Sequence, residues 1–403
     1  PRLLGRSDVT KYGNAVREST NMISQVHGGI ARRPGTVFVS ETRDSSKTSG
    51  LIDFQFSTTQ TYQIEFGDQY IRFYSNNSRV EYSDSVSTAS WLGGTATITL
   101  PTSHTFLVGS TITVSGIDPP GYNGTHVITG VSATTIDYAL ASSPGVYISG
   151  GLFTGPYEIS SPYTEDQLPD IKYTQSADVL FLTHPDVQPK ELQRLANTVW
   201  QFVDFDYKDG PYLEVNKTST TITPSATTGT VTLTASSAIF ASTDVGRLVR
   251  IQHGSTWGYA EITVFTSTTL VTALVIENFG ASTAQSTWRL GAWSDTAGWP
   301  SVPVFHQQRL VFGGNQTVWG SVVGDFNNFQ PSQTDGSVQD DDGFSFTIDD
   351  DRVNSIYWLS SASKGLLIGT SGGEFLMRGQ STLDAITATN VGVFRQSNYG
   401  SSS

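Results

Sequence analysis

The segment Arg309-Leu-Val-Phe-Gly-Gly314, followed at once by Thr317-Val-Trp-Gly-Ser321, decides the fold class. In each half an apolar run ends at glycine, as expected for two short strands joined by a tight turn. Residues 366–375 repeat the arrangement, with Gly-rich residues between two apolar runs. Such units are typical of propeller blades, so the sequence predicts a mainly β protein with a propeller-like antiparallel core.

Short strands extend this pattern toward both ends of the chain. Alternating apolar residues between positions 51 and 82 predict an antiparallel meander, with a hairpin turn at Gly67-Asp68. Further strands are predicted at 173–183, 200–207, 305–313, 317–323, 344–348, 356–359, 366–370 and 374–378.

Two stretches interrupt the core pattern, at about 86–153 and 215–292. Both have few charges and many Thr, Ser and Gly residues, and turn signals such as Pro119-Pro120-Gly121 separate their strands. They predict two inserted small β-sandwich or barrel modules. Similar phrases, such as Gly94–Leu100 and Gly229–Leu233, leave open whether the modules are duplicates or convergent Thr-rich patterns. The predicted domain limits are 1–85, 86–153, 154–214, 215–292 and 293–403.

Residues 7–23 carry a helical pattern. Val9, Tyr12, Val16 and Ile23 recur at spacings of three to four residues or their multiples, and Ser7 is a suitable N-cap. This predicts one short N-terminal helix. Its partner stays open between its own domain and a neighbouring subunit.

The charge balance excludes a general nucleic-acid reader. The 403 residues include 36 Asp and Glu against 23 Lys and Arg, for a net charge of -13. Gripping phosphates needs clustered cations, whereas an acidic wall would repel DNA and let it slide past. The acidity therefore favours a channel through which DNA passes over a protein that binds DNA.

Other compositional features narrow the class. With no cysteine in the chain, disulfides, zinc-thiolate sites and cysteine nucleophiles are excluded. No run of about 18 apolar residues and no signal-peptide pattern occurs, so no membrane segment is predicted. The chain starts at Pro1 without an initiator methionine, which leaves open whether it is truncated or processed.

The sequence offers little catalytic chemistry. Neither a Gly-x-Ser-x-Gly elbow nor a phosphate-binding loop is present, and the histidines follow no metal-ligand spacing. These histidines are at positions 27, 104, 126, 184, 253 and 306. The sequence therefore predicts a protein that is not an enzyme, with no assigned catalytic, cofactor-binding or metal-binding residues and no cofactor.

Two acidic runs are the strongest candidates for a site: Asp340–Asp342 and Asp349–Asp351. Their carboxylates could bind Ca²⁺, but the EF-hand pattern fails because the twelfth position counted from Val338 is Asp349 rather than Glu. The alternative is a solvated loop or a channel-lining surface, which we favour. A glycosidase pair is also conceivable, although the sequence does not give the required carboxylate separation.

A group of tryptophans presents a similar choice. They could form a platform for sugar rings, or they could anchor cores and interfaces, which is the reading we favour. They are Trp257, Trp288, Trp293 and Trp299.

Several phrases together resemble one family. They are Pro1–Arg6, Gly28–Thr36, Phe66–Tyr74, Tyr163–Asp170, Gln175–Leu180, Gln308–Phe312 and Trp319–Phe329. In these phrases the chain resembles the tail tubular protein B, or tail nozzle, family of podophages, and the resemblance covers most of the chain outside 86–153.

The resemblance implies a structural virion protein of the bacteriophage tail, assembled in the host cytoplasm. It implies a homohexameric ring below the portal adaptor, or head-to-tail connector, with tail fibre or spike proteins as further partners. Double-stranded DNA would pass through the tail tube during ejection without sequence recognition. No catalytic residue transfers from the family.

Two other classes remain as alternatives. A tail-associated carbohydrate-binding or depolymerising protein would carry a cleft with converging carboxylates and Trp rings. A secreted adhesin would carry tandem modules in series rather than a core that is interrupted and resumed.

Overall fold

Antiparallel strands make up half of the computed structural model, which describes residues 18–25, 29–57, 60–381 and 384–402. Helix in these residues is limited to the short 3-10 segments Pro120–Tyr122, Glu165–Asp170 and Ser242–Asp244. The predicted mainly β fold class is confirmed. The chain divides into two units, Pro1–Glu41 and Thr42–Ser403.

The first unit corrects the helix prediction. Residues 7–17 lie outside the described part, but Met22–Ser24 is a strand that pairs antiparallel with Ile30–Arg32. Asn21 has a φ of 58°, outside the right-handed helical region. Its backbone and side-chain oxygens also accept hydrogen bonds from Arg33, at 3.0 and 2.9 Å. The apolar spacing thus reaches into an extended segment, and the helix prediction is wrong for its last residues.

A five-stranded sheet, called here the first core sheet, opens the second unit. Its strands in sheet order are Glu158–Ser160, Tyr70–Ser75, Thr61–Gly67 and Gly50–Gln55, with Ser78–Arg79 paired to the second of these. Gly67 pairs with Tyr70, so the hairpin turn lies where the sequence predicts it. Glu158–Ser160 is the last of these strands along the chain, and the chain forms a separate sheet before it.

That separate sheet, the first module sheet, has seven strands. They are Glu81–Ser85, Ser149–Pro156, Thr111–Asp118, Gly124–Val131, Thr135–Ala139, Thr95–Thr99 and Thr88–Leu92 in sheet order. The two edge strands are consecutive in the chain and only two residues separate them. Because so short a link spans roughly 10 Å, the sheet must curl until its edges come close. Ile98, Ile136, Tyr138 and Phe153 fill its interior.

The second module sheet has six strands and its own core. In sheet order they are Ile222–Pro224, Thr230–Ala235, Leu270–Glu277, Thr256–Ser267, Leu248–His253 and Trp288–Leu290. Alternate residues such as Val231, Leu233, Val271 and Ala273 point into the core.

Three further sheets are four-stranded meanders in which each strand pairs with the next along the chain. The first is Lys172–Ser176, Val179–His184, Val187–Ala196 and Val199–Asp204. The second is Val302–His306, Arg309–Gly314, Thr317–Gly320 and Phe344–Thr347. The third is Ile356–Ala362, Gly365–Thr370, Glu374–Arg378 and Gly392–Ser397. The leading strands of consecutive meanders contact one another, which is the arrangement of propeller blades.

Aromatic side chains join consecutive sheets. Trp200 of the first meander packs on Phe54 and Phe73 of the first core sheet, with ring centroids 5.0 and 4.5 Å apart. Trp293, which follows the second module sheet, packs on Phe312 of the second meander at 5.2 Å. Such pairs contribute beyond their buried area. The five domain limits remain predictions, although each module sheet has a hydrophobic core of its own.

Candidate functional site

The first acidic run is a structural loop around a buried cation. Arg309, which is 2% exposed, donates hydrogen bonds to the backbone oxygens of Asp340 and Asp342, each at 2.7 Å. The Asp342 carboxylate is also buried and accepts bonds from Gln333 Nε2 and the Gln339 backbone N–H, both at 2.7 Å. The run therefore closes over Arg309, and only Asp340 and Asp341 present exposed side chains.

The second acidic run is held by one arginine. Arg395 places Nη2 2.6 Å from Asp350 Oδ2 and Nη1 3.5 Å from Asp351 Oδ1. A backbone hydrogen bond from Asp351 is the main cause of the lowered pKa of Asp350. Nowhere in the described residues do three or more His, Asp or Glu side chains converge as a metal site would require. The calcium reading thus gains no support from the geometry of either run.

The predicted histidines stay apart. His27 lies outside the described residues, and the other five belong to different strands and loops. Burial lowers the pKa of His184 and of His306. His306 Nδ1 lies 2.8 Å from Ser361 Oγ, which ties two meanders together. These positions indicate packing roles.

Three of the four tryptophans singled out in the sequence are buried. Trp293 is 1% exposed, and Trp257 and Trp288 are below 10%. Trp299 is half-buried, and its Nε1 donates to Asp295 Oδ1 at 2.9 Å. A continuous platform of the four rings is therefore excluded, and Trp299 lines a cleft that the sequence did not predict.

This cleft, called here the module cleft, lies where the second module sheet meets the end of the first meander. It has a volume of about 610 Å³. Residues 204–208 form one wall, Glu261 of the strand Thr256–Ser267 forms another, and Trp299 closes a side. Tyr207 and Tyr259 add aromatic surface.

One carboxyl group of the module cleft, that of Glu261, has a raised pKa. Burial raises the pKa of Glu261, and the nearby negative charge of Asp206 raises it further. Asp206 itself is exposed. Lys208, on the same wall as Asp206, forms an ion pair with Asp325, with Nζ 3.0 Å from Oδ1. A carboxyl with a raised pKa can donate a proton or a hydrogen bond to a bound hydroxyl-rich ligand.

Sequence reasoning missed this cleft because its residues are distant in the chain. Asp206, Glu261 and Trp299 belong to three segments that meet only through the packing of a module on the core. No spacing rule connects them. The one local signal was the aromatic character of the segment around Trp293 and Trp299.

No helix among the described residues has the length and hydropathy needed to cross a membrane.

Comparison with known proteins gives little guidance. No protein-family model matches the chain, and no curated protein matches it. Among solved structures, the chain is similar to a phage phi92 endosialidase, at 10% identity and a TM-score of 0.17. The similarity covers 69% of this chain and 54% of the endosialidase chain, so this chain spans about half of that structure. At this identity and TM-score, the similarity carries no argument about function.

Proposed function

We propose that this protein is a structural subunit of a short bacteriophage tail, and that it assembles into a closed ring through which DNA leaves the capsid. The proposal rests on the resemblance of the core phrases to the nozzle family. The described fold is compatible with it: one module interrupts the first core sheet, and the other lies between the first and second blade-like meanders. One observation carries the assembly part of the proposal, namely the apolar surface of the first unit.

The first unit, in its described residues, exposes the apolar side chains that a core would bury. Val37 is 83% exposed, Phe38 76% and Val39 43%. Met22 and Ile23, on its two-stranded sheet, are each 50% exposed. Contiguous exposed apolar residues of this kind mark interaction surfaces rather than stable free surfaces. We therefore assign this segment, the apolar arm (described residues 18–25 and 29–41), to a contact with a second copy of the chain.

A ring would explain both the exposed apolar side chains of the arm and the negative net charge of the chain. In a cyclic assembly each subunit offers one patch to the next and receives a different one, so every arm can be covered. The net charge of -13 gives such an assembly an acidic character, and an acidic bore would not retain DNA.

Electron microscopy and native mass spectrometry of the purified chain test the proposal. We expect a closed ring with a central bore and a mass of six subunits. The same particles should add head-to-tail connector protein at one face. A chain that stays monomeric at micromolar concentration, or forms a trimeric spike, would contradict the ring.

The module cleft supports a second candidate function, binding or cleavage of a polysaccharide. The observation in its favour is the pairing of Glu261, whose pKa is raised, with the exposed Asp206 beside aromatic rings. A protonated Glu261 would act as the general acid, and Asp206 would be the second carboxyl group of the pair.

Glu261→Gln tests this second function. If the cleft cleaves glycans, the variant should lose activity on bacterial surface polysaccharides by roughly 100-fold or more, because it removes the acid. Wild-type activity should fall as pH rises through the raised pKa of Glu261, since the protonated form is then lost. Glu214→Gln, an exposed carboxylate outside the cleft, serves as the control. Wild-type protein that neither binds nor cleaves these glycans excludes the function.

A further inference from the structure

Two arginines face each other across neighbouring strands of the second module sheet. Arg250 of Leu248–His253 is directly opposite Arg289 of Trp288–Leu290 in the strand register. Their guanidinium carbons lie 5.2 and 5.7 Å from the centre of the Trp257 ring, so both cations contact one aromatic side chain. Like charges directly opposite one another in a sheet are destabilising.

These arginines retain unused hydrogen-bond donors. Arg250 is 3% exposed, and its Nη2 donates to the backbone oxygens of Ser332 and Gln333, at 2.8 and 3.3 Å. Its Nε is buried without a partner, as is the Nε of Arg289. A buried polar group that lacks a partner is costly, and more so when it is charged.

Nearby carboxylates do not neutralise this pair. Neither arginine has an ion-pair partner within 4.0 Å among the described residues. Asp209, near Arg250, accepts a hydrogen bond from Tyr212 at 2.5 Å, and burial raises its pKa. Glu214, near Arg289, is paired with Lys217 at 2.5 Å. Local negative charge therefore offsets the arginines only in part.

Burial and the charge of Arg250 act together on Arg289. Burial is the larger cause of its lowered pKa, and the neighbouring Arg250 is the next. The structure thus keeps two cations close in a poorly solvated place, where the guanidinium stays charged in any case. An anion placed between them would offset both the cost of burying the two cations and their mutual repulsion.

A cavity opens at this pair. Its volume is about 610 Å³, and it is lined by the two arginines, Trp257 and the loop 331–338. This is far larger than a single ion needs and lies in the range of small-molecule sites. The carboxylate of Asp335 in this loop accepts hydrogen bonds from the backbone N–H and the hydroxyl of Ser337, at 2.8 and 2.6 Å.

We propose that this cavity, the arginine pocket, binds a ligand through an oxyanion group (carboxylate, sulfate or phosphate) held between Arg250 and Arg289 with its body against Trp257. Guanidinium groups match planar and tetrahedral oxyanions through paired N–H donors. The indole offers an apolar surface to the rest of the ligand. This assignment is independent of ring assembly and of the module cleft.

Isothermal titration calorimetry on the full chain, with sulfate, glucuronate and uncharged glucose as probes, tests the proposal. We expect saturable binding of sulfate or glucuronate and none of glucose. Binding of glucuronate alone would identify an acidic sugar as the ligand class, and binding of sulfate alone an inorganic or ester oxyanion.

Two variants locate the binding. Arg289→Gln should weaken oxyanion binding at least about tenfold, because one charge-assisted contact is lost. Arg250→Lys keeps the charge but removes the planar fork, and should weaken binding while leaving the far-UV circular dichroism unchanged. Arg352→Gln, an exposed arginine of another loop, should bind as the wild type does. Absence of binding by the folded wild type, or affinity unchanged in both pocket variants, would overturn the proposal.

Discussion

Replacing Val37 and Phe38 by aspartate should convert the assembled protein into monomers. Each side chain is more than three-quarters exposed in the isolated chain, and the proposed ring would bury both against another subunit. Burying a side chain of this size contributes about 1.5–3 kcal/mol. Loss of both should weaken association at least about 100-fold, and burying two carboxylates would weaken it further.

Light scattering after size-exclusion chromatography measures this effect directly. The variant should elute at the subunit mass with the far-UV circular dichroism of the wild type, because these exposed side chains are not part of a hydrophobic core of the single chain. Val146→Asp is the matched control: Val146 is 87% exposed but belongs to the first module and not to the arm. A double variant that still forms the ring would show that the arm does not hold it together.

Removing Glu158 should cause a large loss of stability. Glu158 is fully buried and pairs with Arg72, with Nε 3.0 Å from Oε2. The same carboxylate accepts bonds from the Leu107 backbone N–H at 3.2 Å and from the Ser110 hydroxyl. It therefore joins the first core sheet to the loop that precedes the strand Thr111–Asp118 of the first module sheet. Glu158→Ala leaves Arg72 buried without a partner, which costs about 3–5 kcal/mol.

A double substitution separates the ion pair from simple packing. Arg72→Met should be similarly destabilising alone, whereas Arg72→Met combined with Glu158→Leu should recover much of the loss, because neither charge of the pair is then left buried alone. Urea unfolding followed by circular dichroism gives the free energies. Asp325→Ala in the exposed pair with Lys208 is the control and should cost less than about 1 kcal/mol. Additive losses in the double variant would show that the two charges do not act as a pair.

The ring and the module cleft are separable in practice. Substitutions in the apolar arm should change the mass of the assembly and leave the cleft intact. Glu261→Gln should leave the mass unchanged. Activity in a monomeric arm variant would therefore assign the carbohydrate function to the single subunit, and loss of both properties together would place the cleft under the control of assembly.

Local sequence determined the strands because side-chain alternation and turn chemistry act over a few residues. The run at Arg309 and the hairpin at Gly67 lie where the sequence predicts them. The same local reasoning gave a helix over residues 7–23, whereas the left-handed backbone of Asn21 and its bonds to Arg33 favour an extended segment from there on. The spacing of apolar residues carries no information about such a hydrogen bond.

Only the tertiary structure decided which charges and rings meet. From sequence, Asp342 is one of three exposed-looking acids, yet its loop closes on Arg309. Arg250 and Arg289 become neighbours only because their strands pair at the edge of a sheet whose order does not follow the chain. Strand formation depends on neighbours in sequence, whereas a site depends on sheet order and packing between distant segments. The sequence by itself therefore determined a mainly β chain with blade-like repeats, and the tertiary structure alone revealed the module cleft and the arginine pocket.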